Sequence, residues 1–255
     1  MTDDQPEFRI GCSGWYYRHW HGPFYPIELP SHRWFEHYTE SFNTVELNAP
    51  FYRWPKPETV KRWRRAAHRN FVYSVKVNGM ITHEKRFVGT KRLVSEFCAL
   101  ADVLDRHMGA FLFQMPPSFR YSLPKLRQIL DQLDPRWPNV LEFRHRSWWN
   151  EAALNEIRQA SDATTGGISF CTTSGPRLPG ELIKTGPDVY IRFHGVKRWY
   201  RHDYTKDELR PWAAALQGSG ARRVYAYFNN DRDAYAIKNA RALRRLVREP
   251  IAAIT

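Results

Sequence analysis

Two stretches of the chain read alike: Val140-Leu141-Glu142-Phe143-Arg144 and Val189-Tyr190-Ile191-Arg192-Phe193-His194. In a β-strand alternate side chains point to opposite faces. One face of each run is therefore apolar, while the other gathers Glu142 and Arg144 or Arg192 and His194. Ionised groups inside a sheet are unfavourable unless they are paired or used in chemistry. The two runs together predict strands that share a polar interior.

Six further runs have the same character, at Phe8–Cys12, Thr44–Phe51, Phe71–Val77, Ala110–Met115, Gly167–Cys171 and Val224–Phe228. Helical patterns lie between most of them. Ser31 precedes Trp34, Phe35 and Tyr38; Pro57 suits the first turn of a helix carrying Val60 and Trp63. Thr90 precedes an apolar stripe of helical period from Leu93 to Leu104. Ser122 and Asn150 introduce two more helices, Thr205 and Glu208 form a capping-box pattern, and a last helix starts near Asp233. Strand–helix alternation predicts an α/β fold with a parallel sheet and outer helices, and eight strands predict closure into a single (β/α)8 barrel. Between strands six and seven, Thr172 to Pro187 is too rich in Gly and Pro for a full helix. We read one domain over residues 1–255, with its core at about 8–247.

The composition agrees. At 255 residues with 42% hydrophobic content the chain can bury a full core. No apolar stretch has the length of a membrane helix. Met1 to Gln5 is polar and acidic, unlike a secretory leader, and Cys12, Cys98 and Cys171 are widely spaced with no CxxC. Both features point to a reducing cytoplasm. A formal charge of +13 favours anionic partners, although α-helical stretches such as Lys238–Arg245 also place charge on solvated faces.

The period of two, applied to every strand, collects the inward side chains: Glu46 and Asn48, Ser74, Lys76 and Asn78, Gln114, Glu142 and Arg144, Arg192 and His194, Tyr225, Tyr227 and Asn229. In a barrel this set faces the C-terminal mouth, where barrel enzymes place their chemistry. Ser74 and Tyr225 lie deeper and read as packing. A buried salt-bridge network is the bland alternative, though burying ions contributes little net stability. A divalent metal is disfavoured, because Glu46, Glu142 and His194 share the pore with three cations; no cofactor is expected. Glu46 with Glu142 also fits a glycosidase pair, if roughly 5–9 Å apart. Lys76 suits a Schiff base only with a depressed pKa. Arg144 and Arg192 are forks for carboxylate or phosphate, with His194 as acid or base.

Two loops extend the mouth. One crowds Trp15, Tyr16, Tyr17, Arg18, His19, Trp20 and Tyr25 together after strand one. The other sets Lys197, Arg198, Trp199 and Arg201 after His194. Aromatic rings interleaved with cations can stack bases while holding phosphates, or simply form a lid. His83 lies just past strand three.

These segments resemble the YecE-like family, domain of unknown function 72. The resemblance is carried by IGCSGWYYRHWHGPFYP from Ile10, FNTVELNAPFYRWP from Phe42 with the VKRW that follows, and FVYSVKVNGMITHEKR from Phe71. It continues through GAFLFQMPPSF, VLEFRHRSWW, VYIRFHG and YFNNDRDAYAIKNA, from about Phe8 to Val247. It implies a TIM-type barrel similar to those of xylose isomerase-like enzymes and metal-dependent apurinic endonucleases. It also implies pocket roles for Glu46, Asn48, Tyr52, Lys76, His83, Gln114, Glu142, Arg144, His145, Trp148, Arg192, His194, Asn229 and Asn230. No site residue is assigned between Gly167 and Pro187.

The expectation is an enzyme of hydrolase or lyase type, working without metal on a small anionic or phosphorylated substrate. Glu142 and His194 would exchange protons, Arg144 and Arg192 hold the anion, and Lys76 with Asn229 stabilise negative charge, with Glu46 the other catalytic carboxylate and Trp15 in the pocket. The alternatives are a nucleic-acid-binding or endonuclease-like protein using Lys197, Arg198, Trp199 and Arg201, and a non-catalytic metabolite sensor. The sequence is silent on oligomeric state.

Overall fold

The computed structural model describes residues 5–249. The Met1–Asp4 segment, read above as unlike a leader, lies outside them. Eight strands, β1 (Glu7–Cys12), β2 (Thr44–Leu47), β3 (Val72–Lys76), β4 (Met108–Gln114), β5 (Asn139–Glu142), β6 (Ile168–Ser174), β7 (Asp188–Phe193) and β8 (Arg223–Phe228), form one parallel sheet in the order β1-β8-β7-β6-β5-β4-β3-β2. Around it lie α1 (Trp34–Ser41), α2 (Ala49–Tyr52), α3 (Pro57–Ala66), α4 (Lys91–Cys98), α5 (Leu100–Leu104), α6 (Leu123–Leu130), α7 (Glu151–Asp162), α8 (Lys206–Gln217) and α9 (Tyr235–Leu246). This is the expected (β/α)8 barrel, and the β6–β7 connection carries no helix, as its Gly and Pro content predicts.

Alternation produces two cores. Outward residues such as Val45, Tyr73, Val75, Phe111 and Phe113 join the shell packed beneath the helices. Inward residues Val72, Ala110, Leu112, Val140, Tyr190 and Tyr225 form a separate plug in the lumen. The plug floors the barrel, so the charged side chains one register position higher are confined to the mouth.

Closure between β1 and β2 is unusual. These strands share one bridge, Ser13 with Glu46, instead of a ladder. The Tyr38 hydroxyl from α1 sits in the gap, accepting from the Cys12 amide at 2.9 Å and donating to the Thr44 carbonyl at 2.9 Å. Gly11 makes room for it, since a Cβ there would lie 2.8 Å from that hydroxyl and 2.4 Å from the Thr44 oxygen. Tyr38→Phe therefore strands a buried amide and a buried carbonyl. We expect a loss of about 1–3 kcal/mol in urea unfolding; an unchanged midpoint would show that the hydroxyl does not close the seam.

Several boundaries differ from expectation. The second strand was expected to reach Phe51 but stops at Leu47, because Pro50 near the start of α2 fixes a helical φ and lacks the amide a ladder needs. The stripe after Thr90 divides at Ala99 into α4 and α5. Strand six continues to Ser174, beyond Cys171, where it pairs with Phe193. The capping box at Thr205 and Glu208 and the Asn150 cap are present. None of the described helices is long and apolar enough to cross a membrane.

Candidate active site at the barrel mouth

Inward positions on β2, β5 and β7, strands that do not pair with one another, meet across the lumen in a continuous ionic lattice. Arg192 on β7 lies at its centre, donating from Nη2 to Glu46 Oε1 and from Nη1 to Glu142 Oε2, both at 2.6 Å. Glu142 Oε1 accepts from Arg144 Nε at 2.6 Å. Glu46 also accepts from Ser13 Oγ at 2.6 Å and from the Tyr190 hydroxyl at 2.7 Å. His194 Nε2 lies 3.1 Å from Arg144 Nη2 and 3.5 Å from Glu142 Oε1, and its Nδ1 faces the Asn229 amide at 3.3 Å.

Protonation follows from this wiring. Burial alone would raise the Glu142 pKa, but Arg144 and Arg192 outweigh it and hold the carboxyl well below its usual range. Burial, with Arg144 and Arg192 adding to it, drives the His194 pKa well below normal, so the imidazole is neutral. Two carboxylates thus balance two guanidiniums. Lys76 stands apart, its Nζ 3.8 Å from the centroid of the Phe51 ring. Burial, and then repulsion from Arg192, lowers its pKa to about 7, against the pull of Glu142 and Glu46. The mouth therefore holds one amine poised to exchange a proton near neutrality.

The geometry revises several roles expected from sequence. Arg192 is 1% exposed with both terminal nitrogens engaged, so it positions the two carboxylates and presents no fork to a substrate. Glu142, clamped by two guanidiniums, is a poor proton exchanger. Trp148 is buried between Phe143 and Phe119, its ring centroid 3.7 Å from that of Phe143 and its indole donating to the Phe119 carbonyl at 2.6 Å; it is a wall of the shell. Asn230 is buried against Asn239 and the His202 carbonyl, where it ties the β7–α8 loop to α9. His145 turns outward and its ring caps the turn at Ser147.

Other expected residues stay at the mouth. His83 belongs to a π-type turn, Met80–Glu84, and burial followed by repulsion from Lys76 and Arg144 lowers its pKa. Its ring centroid lies 4.9 Å from that of Phe51. Gln114 is buried on the inward face of β4, its amide 3.4 Å from the Met115 carbonyl. Tyr52 is 81% exposed at the rim. Asn48 and Trp15 line a cavity beside the mouth.

The β7–α8 loop roofs the lattice. Trp199 lies over Arg144, with 4.6 Å from guanidinium carbon to ring centroid, and 5.3 Å from the His194 ring. The Tyr200 hydroxyl accepts from Arg144 Nη1 at 3.1 Å. Tyr200 has φ of 66° and Gly195 φ of 109°, so both sit in the left-handed region. The adjoining β1–α1 loop is pinned by Asp231, which accepts from the Trp20 indole at 2.7 Å and whose carboxyl burial pushes up to about 6.

Sequence reading missed Ser13, Tyr190, Phe51 and Tyr200. Tyr190 shares the inward register of Arg192, and counting its hydroxyl as polar would have found it. Ser13 lies one residue past the first strand as read. Phe51 was hidden by reading α2 as strand, and no local signal marks Tyr200.

Comparison with known proteins places the chain among similar sequences of the same shape. A family model described as "Protein of unknown function DUF72" matches residues 9–254. The protein YecE of Escherichia coli (strain K12) is 34% identical over 180 residues, which span 63% of this chain and 66% of that one, just under two thirds of the relative's length. The protein YunF of Bacillus subtilis (strain 168) is 25% identical over 93% of this chain and 94% of its own. The crystal structure of a DUF72 family protein from Thermotoga maritima superposes with a TM-score of 0.84 at 25% identity, covering 95% of this chain and all of that one.

Proposed function

This chain belongs to the protein family of unknown function DUF72, and on that premise we propose that its barrel mouth binds a small anionic substrate and transfers protons on it. The observation that carries the reading is Lys76. Among the described residues it is the charged side chain of the mouth left outside the lattice, and its pKa of about 7 lets it both attract an anion and exchange a proton. Arg144 supplies the second cation, turning from Tyr200 to the substrate. Neutral His194 accepts or relays the proton, with Asn229 orienting its ring. Glu46, Glu142 and Arg192 hold these groups in place. The chemistry is of hydrolase or lyase type, with Trp199 and Tyr200 lifting to admit the substrate and then excluding water.

The nucleic-acid alternative stays second because Trp199, the ring expected to stack a base, packs on Arg144, while Lys197, Arg198 and Arg201 are exposed.

Calorimetric titration with inorganic phosphate tests the site. We expect wild-type protein to bind it at pH 6 and more weakly at pH 8.5, as the ammonium loses its proton, and Lys76→Met to bind at least tenfold more weakly at pH 6. Equal binding by wild type and Lys76→Met would overturn the assignment. Incubation with fractionated cell metabolites, followed by mass spectrometry, separates turnover from mere sensing.

A further inference from the structure

Helix α9 ends in a run of cations. Arg241, Arg244, Arg245 and Arg248 recur at the i, i+3, i+4 and i+7 spacing that puts side chains on one helix face. A backbone bond from the Arg248 amide to the Arg245 carbonyl at 3.0 Å carries the turn past the last residue of α9. Ala240, Leu243, Leu246 and Val247 take the other face and are buried, with α9 packed on β1. Together with Ser41 at the end of α1, the four arginines line a cavity of about 230 Å³. Ser41 stands three residues before β2, and Glu46 and the mouth lie at the far end of that strand. The cavity therefore belongs to the outer shell, at the end of the barrel opposite the lattice.

Local contacts hold these guanidiniums without neutralising them. Arg241 donates from Nη2 to Ser41 Oγ at 2.8 Å, and its guanidinium carbon lies 5.0 Å from the Phe24 ring centroid. Arg244 lies over Phe42 at 5.8 Å. The acids nearest along the chain are engaged elsewhere, Glu40 with His37 at 3.3 Å and Glu249 with Arg210 at 3.7 Å. Among the described residues no carboxylate pairs with any of the four arginines. Burial, and then repulsion from Arg248 and Arg241, lowers the Arg244 pKa. Cations in a last helical turn favour the helix dipole. Four of them around one cavity go beyond that, because they also repel one another.

The density of charge decides the ligand. Guanidinium forks match carboxylate and phosphate oxygens alike. The cavity, though, has room for only roughly eight water volumes of about 30 Å³ each. A carboxylate brings one charge, and a nucleic-acid strand spreads single charges along its length. Linked phosphates concentrate several charges on adjoining groups. We infer that the cavity binds a small oligophosphate, two or three linked phosphate groups seated on Arg241, Arg244, Arg245 and Arg248.

Calorimetric titration of the full chain with tripolyphosphate and inorganic phosphate at pH 8.5 tests it. There Lys76, with its pKa of about 7, is neutral while guanidiniums stay charged, so binding reports the arginine cavity and not the mouth. Tripolyphosphate should bind at least tenfold more tightly than phosphate and raise the melting temperature. Arg245→Gln with Arg248→Gln, both exposed, should weaken tripolyphosphate at least tenfold and melt no lower than wild type. Arg65→Gln with Arg69→Gln, which removes two exposed arginines elsewhere, should leave binding unchanged. A larger cavity of about 660 Å³ also has Arg241 and Arg245 on its wall, so ATP is titrated alongside. Tighter binding of ATP than of tripolyphosphate supports an organic oligophosphate, and equal binding a free one. If tripolyphosphate binds no better than phosphate, or both double variants weaken it equally, the inference is overturned. If the Arg245 and Arg248 changes lower the melting temperature and leave binding untouched, these arginines serve the helix alone and the inference is again overturned. The same holds if those changes weaken a single-stranded oligonucleotide and not tripolyphosphate.

Discussion

Arg192→Ala should cost about 3–5 kcal/mol of folding stability, more than any other single change at the mouth. Among the described residues the guanidinium is the only side chain bridging Glu46 and Glu142, each 0% exposed, at 2.6 Å to both. Its removal leaves Glu46 with only neutral donors, Ser13 and Tyr190, and Glu142 with Arg144 as its one remaining guanidinium and His194 at 3.5 Å. For a chain of this size the loss corresponds to roughly 10 °C in melting temperature. Adding Glu46→Gln and Glu142→Gln to the alanine variant should recover much of it, because the uncompensated charges then disappear. Urea unfolding of wild type, the single variant and the triple variant gives the result. A loss below about 1 kcal/mol in the single variant would mean the carboxylates are solvated or protonated. From sequence alone Arg192 looks like a removable ligand contact; the observed lattice makes it a structural keystone.

Lys76 should make stability depend on pH in a direction unusual for a lysine. Its folded pKa is about 7, while the unfolded chain keeps the ordinary value near 10.4. Between those values the unfolded state binds more protons, so stability rises with pH across that window and is flat below about 7. At one pKa unit per 1.36 kcal/mol, wild type should gain about 2–3 kcal/mol between pH 7 and pH 9 relative to Lys76→Met. The difference between the two proteins cancels other titrating groups to first order. Parallel curves from pH 6 to pH 9 would show that Lys76 is not desolvated. Anion binding should run the opposite way, strongest below pH 7, since it needs the ammonium that folding disfavours. That opposition is what an anion site predicts: the anion's charge would offset the desolvation that lowers the Lys76 pKa.

By itself, the sequence determined the barrel and the charged side chains that point into its lumen, while it counted Trp148, His145 and Asn230 with them and passed over Ser13, Tyr190, Phe51 and Tyr200. Each follows from a local rule: the two-residue period assigns faces, caps and prolines punctuate helices, and polar groups on an otherwise apolar strand must meet inside. The runs Val140–Arg144 and Val189–His194 gave two of the strands from that rule alone, although β5 ends at Glu142 and β7 at Phe193. Which of those side chains are free to react was decided by tertiary structure alone. Glu142, Arg192, His194 and Lys76 look equivalent along the chain. They are separated by which neighbour lies within 3 Å, and those neighbours come from β2, β5 and β7, up to 146 residues apart. Hydrogen bonding and pKa depend on that three-dimensional proximity and on burial, so Arg192 became a clamp, Trp199 a roof and Lys76 the titratable group. The cavity beside the mouth is likewise a product of packing, since it sets Trp63 of α3 near Trp15, 48 residues before it in the chain.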